Sequence, residues 1–413
     1  MSPSPPTTSS NLIPLAQGRP AEDPIFAIHA EAVRRAEQGE QVIDASLGTL
    51  LDDAGRVAIL PAVFDAFRDV EPGKAAAYAP IAGDAHFRRA VIADLFGDSS
   101  MADRAECVAT AGGTGAIFGA VVNFVEEGHA LYTSDFHWGP YRTIADHTRR
   151  KVRTFEMFRD KRFDAEAFEA GLMDLGRSQG SAFVLLNFPC QNPTGYSLDD
   201  AEWERVAAAL ERAVEHFPVT VLLDVAYARY APADAADWRR YLEPLLAKIP
   251  LLVAWSASKT FAQYGARVGA LVAVIHDDEE RARVLNAMTY SCRGTWSNCN
   301  HMGLLAVANL LIEPERARAA DAQRAELIGL MGGRVEAFNA EAVRVGLRYP
   351  RYEAGFFVTV FTPDPQRTAE RCAEDGVFVV PVMGAVRVGL CATPIDTIPR
   401  LVASLARGVE AAQ

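Results

Sequence analysis

The chain alternates between short apolar runs and longer stretches whose apolar residues recur at helical spacing. The runs include residues 183–186, 219–223, 251–254 and 271–275. Each is bounded by polar or turn residues, which predicts strands buried on both faces. Between them, residues 199–215 place acidic side chains first and apolar ones every three to four positions, which predicts a helix. Strand–helix alternation predicts an α/β fold: a large domain with a mainly parallel sheet flanked by helices. From about residue 313 to 346 the pattern is long, Ala- and Arg-rich and helical. Residues 355–361 then read as a strand. Residues 364–375 read as a helix with Asp364 as its cap and Pro365 in its first turn, and residues 377–381 as another strand. That second pattern predicts a smaller α+β domain. The expected division is a flexible arm over 1–20, a small domain from 21–60 together with 313–413, and a large domain over 61–312.

Composition narrows the function classes. A length of 413 residues suits about two domains, and the 23% charged, 50% hydrophobic balance suits a packed globular protein. No run of apolar residues is long enough for a membrane span. The net charge of −12 repels phosphate backbones and argues against a nucleic-acid partner, while leaving room for a local cationic pocket. Cys107, Cys190, Cys292, Cys299, Cys372 and Cys391 are scattered without a C-x-x-C pair, so reduced buried thiols are expected rather than disulfides or a metal site. The first twenty residues are rich in Ser, Pro and Thr and lack the basic start and apolar stretch of a signal peptide. The expected compartment is therefore the cytoplasm.

The strongest chemical signal runs from Ser256 through Ser258 and Lys259 to Arg267 and Gly269. It follows an apolar strand, where a lysine would point into the cleft in which α/β proteins bind ligands. Lost hydration and neighbouring cations lower such an amine's pKa and favour condensation with an aldehyde. The flanking Ser256 and Ser258 hydroxyls can hold a phosphate, and Arg267 can fork onto the same group.

This stretch resembles the cofactor-lysine motif of class I aminotransferases, fold type I pyridoxal-phosphate enzymes, in particular the aspartate and aromatic branch. The resemblance extends from about Ser46 to Ala392. It implies pyridoxal 5'-phosphate as cofactor, carried by Lys259, which also moves the substrate proton. Asp224, ending the run 219–224, would pair with the ring nitrogen, and Tyr227 with the ring's phenolic oxygen. Asn192, in Gln191-Asn192-Pro193-Thr194-Gly195, would donate to that same oxygen. Many relatives have His where this chain has Gln191. Gly113 and Thr114, in a Gly-rich turn before an apolar helix, would contact the phosphate. Trp138 would stack on the ring. Many relatives carry Asn and His soon after this Trp; here Pro140 and Tyr141 stand there, so the family's usual support of the ring-nitrogen carboxylate is not expected.

On the substrate side the resemblance makes Arg387 the partner of the α-carboxylate. It makes Arg293 a residue that reaches across a dimer interface to a distal carboxylate, ahead of Cys299 and Asn300, where relatives often have two prolines. Tyr78 would touch the neighbouring subunit's phosphate, and Gly48 would line the substrate mouth. A homodimer with shared sites follows. The expected reaction moves an amino group from an aspartate, glutamate or aromatic donor to a 2-oxo acid such as 2-oxoglutarate. Elimination, cyclisation or decarboxylation on the same fold is the alternative, because the cofactor site alone does not distinguish them. The N-terminal arm is too short for a DNA-binding fusion, and a dehydrogenase reading lacks a placed G-x-G-x-x-G.

Overall fold

The computed structural model describes residues 10–20, 24–232 and 234–413. Its centre is a seven-stranded sheet. In chain order the strands are β1 (Ala105–Ala111), β2 (Ala130–Ser134), β3 (Lys151–Phe155), β4 (Ala182–Leu186), β5 (Val219–Asp224), β6 (Leu251–Ser256) and β7 (Val268–Val274). Their spatial order is β1-β7-β6-β5-β4-β2-β3. Four pairings are parallel, whereas β7 runs antiparallel to both β1 and β6. The four runs predicted as strands are thus β4 to β7, but the direction of β7 was not expected.

Successive side chains of these strands feed opposite layers, as the pleat demands. Val184, Val221 and Val253 join one apolar cluster; Phe183, Leu222 and Leu252 join another on the other face. Helix Gly112–Phe124 covers one face, and helices Ala165–Gln179 and Asp200–Val214 are built into the other cluster. The predicted helix at 199–215 forms with a full capping box: the Asp199 carboxylate accepts from the Glu202 amide and the Glu202 carboxylate from the Asp199 amide.

A separate apolar cluster draws on both ends of the chain, from Ile43, Ala45 and Leu50 to Phe338, Val358, Val388 and Leu405. Its sheet has the order β8-β10-β9, with β8 Phe357–Phe361, β9 Val380–Val382 and β10 Ala385–Gly389. The strand expected over 377–381 is split. Val377–Phe378 pairs in parallel with Ile43–Asp44, and the chain then changes partner, so that β9 lies on β10. The predicted long helix is Pro314–Arg344, whose Ala320 packs into the large cluster and whose Phe338 packs into the smaller one. Asp364 caps helix Pro365–Glu374 as expected. Of the arm expected over 1–20, residues 1–9 lie outside the described residues. Pro14–Gln17 forms a helical turn, which Pro14 starts with its fixed backbone angle. All six cysteines are free and buried.

Candidate active site

The parallel strands end on one edge of the large sheet, and their continuations carry most of the predicted site residues. Asp224 is the last residue of β5, and Asn187 follows the end of β4. Lys259 sits on the short helix Ala257–Thr260 directly after β6. The reversal of β7 matters here: its first residue, not its last, lies at this edge, so Arg267 arrives beside Lys259. Gly112 and Gly113 open the helix after β1. A Cβ on Gly112, at φ +70°, would lie 2.4 Å from an Arg267 guanidinium nitrogen, so the arginine's approach needs glycine there.

These residues line one cavity of about 170 Å³: Gly113, Thr114, Ile117, Trp138, Asn187, Asn192, Asp224, Ala226, Tyr227, Ser256, Ser258, Lys259 and Arg267. Arg267 donates to the Ser258 hydroxyl at 3.3 Å and to the Tyr264 carbonyl at 2.9 Å. Its backbone is held at φ +54°, a conformation costing about 1–2 kcal/mol outside glycine. Ser256 and Ser258 are buried beside it.

The Lys259 Nζ lies 5.6 Å from the Tyr227 ring centre and 5.3 Å from that of Tyr264. Burial pushes its pKa down and Arg267 pushes the same way, against the pull of Cys391 and Asp224. Tyr227 is buried, and its hydroxyl accepts from the Asn192 amide nitrogen at 3.4 Å. The Asn192 Oδ1 is buried with no partner among the described residues.

Asp224 is buried. Its carboxylate accepts from the Ala226 amide at 3.2 Å and the Tyr141 hydroxyl at 2.7 Å, and its backbone carbonyl accepts from Asn187 Nδ2 at 2.7 Å. Burial raises its pKa; the Tyr141 bond, the Ala226 amide and the Lys259 charge oppose that. Trp138 forms part of the wall and meets Tyr141 edge-on, with ring centres 5.6 Å apart.

Gln191 does not line this cavity. Its amide donates to the Phe136 carbonyl at 2.5 Å and accepts from the amide and hydroxyl of Thr194, tying the Asn192 loop to the Trp138 segment. Tyr141 and Asn187 were not predicted to take part. Tyr141 sits three residues past Trp138 in the first turn of helix Pro140–His147, and Asn187 continues the strand beside that of Asp224; those positions were the available signals.

The substrate-side residues are more dispersed. Arg387 lies on β10, buried, with its guanidinium 4.6 Å over the Phe357 ring and one nitrogen donating to the Ser46 carbonyl at 2.5 Å. Gly48 is in the same corner: a Cβ there would approach the Phe357 ring to 3.0 Å. Burial pushes the Cys391 thiol up to about 12, against the Arg387, Lys259 and Arg334 charges. Arg293 is exposed in the last turn of helix Asp278–Thr295 and donates to Ser297 at 2.6 Å, and Tyr78 is 90% exposed. Neither belongs to this chain's cavity. Asn300 caps helix His301–Ile312 and also bonds the Ala266 carbonyl next to Arg267 at 3.2 Å.

Residues 40–405 match the family model of aminotransferase class I and II. The chain belongs to this family. It is a pyridoxal-phosphate-dependent transaminase that exchanges amino groups between amino and 2-oxo acids. The aminotransferase is 30% identical over 349 residues to the tyrosine aminotransferase of Klebsiella pneumoniae, a match covering 82% of this chain and 86% of that protein. It is also 30% identical to the aromatic-amino-acid aminotransferase of Paracoccus denitrificans, over 71% of this chain and 74% of that one. Among solved structures, an aminotransferase from Anaerococcus prevotii superposes with a TM-score of 0.90 at 30% identity, covering 97% of this chain and 100% of the other. The aromatic-amino-acid aminotransferase of Burkholderia pseudomallei, described as covalently bound to pyridoxal phosphate, gives 0.81 at 25% identity over 96% and 100%.

Proposed function

We propose that Lys259 is the cofactor lysine and that this aminotransferase takes an aromatic or acidic amino donor, with 2-oxoglutarate as an acceptor. The observation that carries the reading is the set of groups gathered in one cavity: the Arg267 guanidinium with the Ser256 and Ser258 hydroxyls, the Lys259 amine, and the Asp224 carboxylate, with the Arg267 and Asp224 charges both acting on that amine. That set fits pyridoxal phosphate, which offers a phosphate, an aldehyde and a ring nitrogen to those three kinds of group. The glycine at 112, which admits the Arg267 guanidinium to this cavity, supports the fit. When bound, the cofactor supplies an aldehyde and a ring that withdraws electrons from a cleaving Cα–H bond.

The chain's own residues do the rest. Arg267, Ser256, Ser258, Gly113 and Thr114 anchor the phosphate, the last two at a helix N-terminus that favours an anion. Asp224 keeps the ring nitrogen protonated, Trp138 stacks on the ring, and Tyr227 and Asn192 donate to the phenolic oxygen. The Lys259 amine, its pKa lowered by burial, moves the α-proton as general base and then as general acid. Arg387 grips the α-carboxylate beside Gly48. Arg293 and Tyr78 serve the site of a second copy in a homodimer, a reading supported by their exposure on this one. Relatives named for aromatic amino acids and for aspartate support both donor classes. Two relatives named cytoplasmic support a cytoplasmic location, and no helix among the described residues is long and apolar enough to cross a membrane.

The test is spectroscopic and kinetic. Purified protein absorbs in the visible and loses that band on mixing with glutamate, aspartate or tyrosine. Lys259→Ala removes the covalent band and lowers turnover at least about a thousandfold. A Lys259→Ala protein that still turns over overturns the assignment.

A further inference from the structure

We propose that Tyr141 is a positioning residue that holds the Asp224 carboxylate in its ionised state through its buried hydroxyl. The proposal rests on the assignment of Asp224 to the ring nitrogen.

The geometry is that of a dedicated contact. Tyr141 is fully buried, and its hydroxyl donates to Asp224 Oδ2 at 2.7 Å. Its ring is wedged between Trp138, edge-on, and His137, stacked at 6.3 Å with an interplanar angle of 10°. The Tyr141 amide bonds the Trp138 carbonyl at 3.0 Å, so the two residues are locked in one turn. The Ala226 amide and Asn187 hold the other side of the aspartate. Tyr141 is therefore the side-chain donor seen on a carboxylate that burial drives toward protonation.

A phenol differs from an imidazole in one respect: it donates without ever carrying positive charge. Burial and the adjacent carboxylate raise its pKa further, so it stays a neutral donor across the working pH range. Hydrogen bonding to the charged form favours that form. Removing the hydroxyl raises the proton affinity of Asp224, which draws the ring proton toward the carboxylate and weakens the electron sink. A merely structural tyrosine would change stability and leave ring protonation alone.

The test loads wild type, Tyr141→Phe, Tyr141→His and Asp224→Ala with pyridoxal phosphate carrying 15N in the ring and reads the ring-nitrogen resonance by NMR, alongside steady-state kinetics. In Tyr141→Phe, which keeps the ring packing, the resonance moves toward the unprotonated position and kcat falls by about 10-fold or more, the worth of one hydrogen bond to a charge. The KM for the amino donor stays within about two-fold. Tyr141→His, which restores a donor, moves both readouts back toward wild type. If Asp224→Ala shifts the resonance and Tyr141→Phe does not, the Tyr141 proposal is overturned while Asp224 keeps its role. If neither shifts it, the assignment of Asp224 fails and takes the proposal with it.

Discussion

Lys259 concentrates the chemistry in one nitrogen. Only its neutral form attacks an aldehyde. Because burial and the Arg267 charge depress its pKa, the neutral fraction grows at lower pH than for a solvated lysine. The rate at which cofactor-free protein captures pyridoxal phosphate should therefore rise with pH and level off with a midpoint below about 10.4, the ordinary lysine value. Stopped-flow capture rates across pH measure it; a midpoint at the ordinary value would show that the amine is solvated. Arg387 makes a second prediction at this scale. Its fork is already oriented by the Ser46 carbonyl and the Phe357 face, and a lysine cannot reproduce a planar two-point grip. Arg387→Lys should lower kcat/KM by about 10- to 100-fold, mostly through KM. At this scale the sequence was informative where motifs are contiguous: Lys259, Arg267, Asp224 and Asn192 were all legible from their neighbours. Tyr141 was seen only as a departure from the familiar pattern. Its partner is 83 residues away, and no local spacing announces that contact.

Elements were legible in kind more than in direction. An apolar run such as 268–274 reads as a buried strand whichever way it points, so the reversal of β7 was not available from periodicity. The split at 377–382 escaped for a related reason: partner choice is decided by what packs alongside, not by the run itself. Capping was the clearest signal, because side chain and backbone requirement sit within three residues of each other. At helix Asp200–Val214 the cap does more than close a turn. Asp199 also accepts from Arg351 at 2.9 Å, and Arg351 bonds the Ser197 carbonyl at 2.6 Å, so the end of the Asn192 loop is tied down with the helix. Asp199→Ala should destabilise the protein by about 1–2 kcal/mol, read from the urea midpoint at unchanged slope.

At the scale of the whole molecule, two apolar clusters share the long helix, and the substrate-side Arg387 belongs to the sheet of one while Lys259 belongs to the edge of the other. Two further predicted site residues, Tyr78 and Arg293, face outward. On the proposed homodimer, a Lys259→Ala subunit and a Tyr78→Ala subunit are each deficient, but a hybrid of the two holds one complete site. Mixing equal amounts under conditions that exchange subunits should restore about a quarter of wild-type activity, since half the dimers are hybrids with one of two sites intact. No recovery would place Tyr78 outside the partner's site.

The backward-running strand β7 has one more consequence. It makes the connection that carries both Lys259 and Arg267 a ruler, held between two strands that pair antiparallel within the sheet. Inserting a single residue into that connection would leave the sheet paired and still misalign the two grips on the same small molecule.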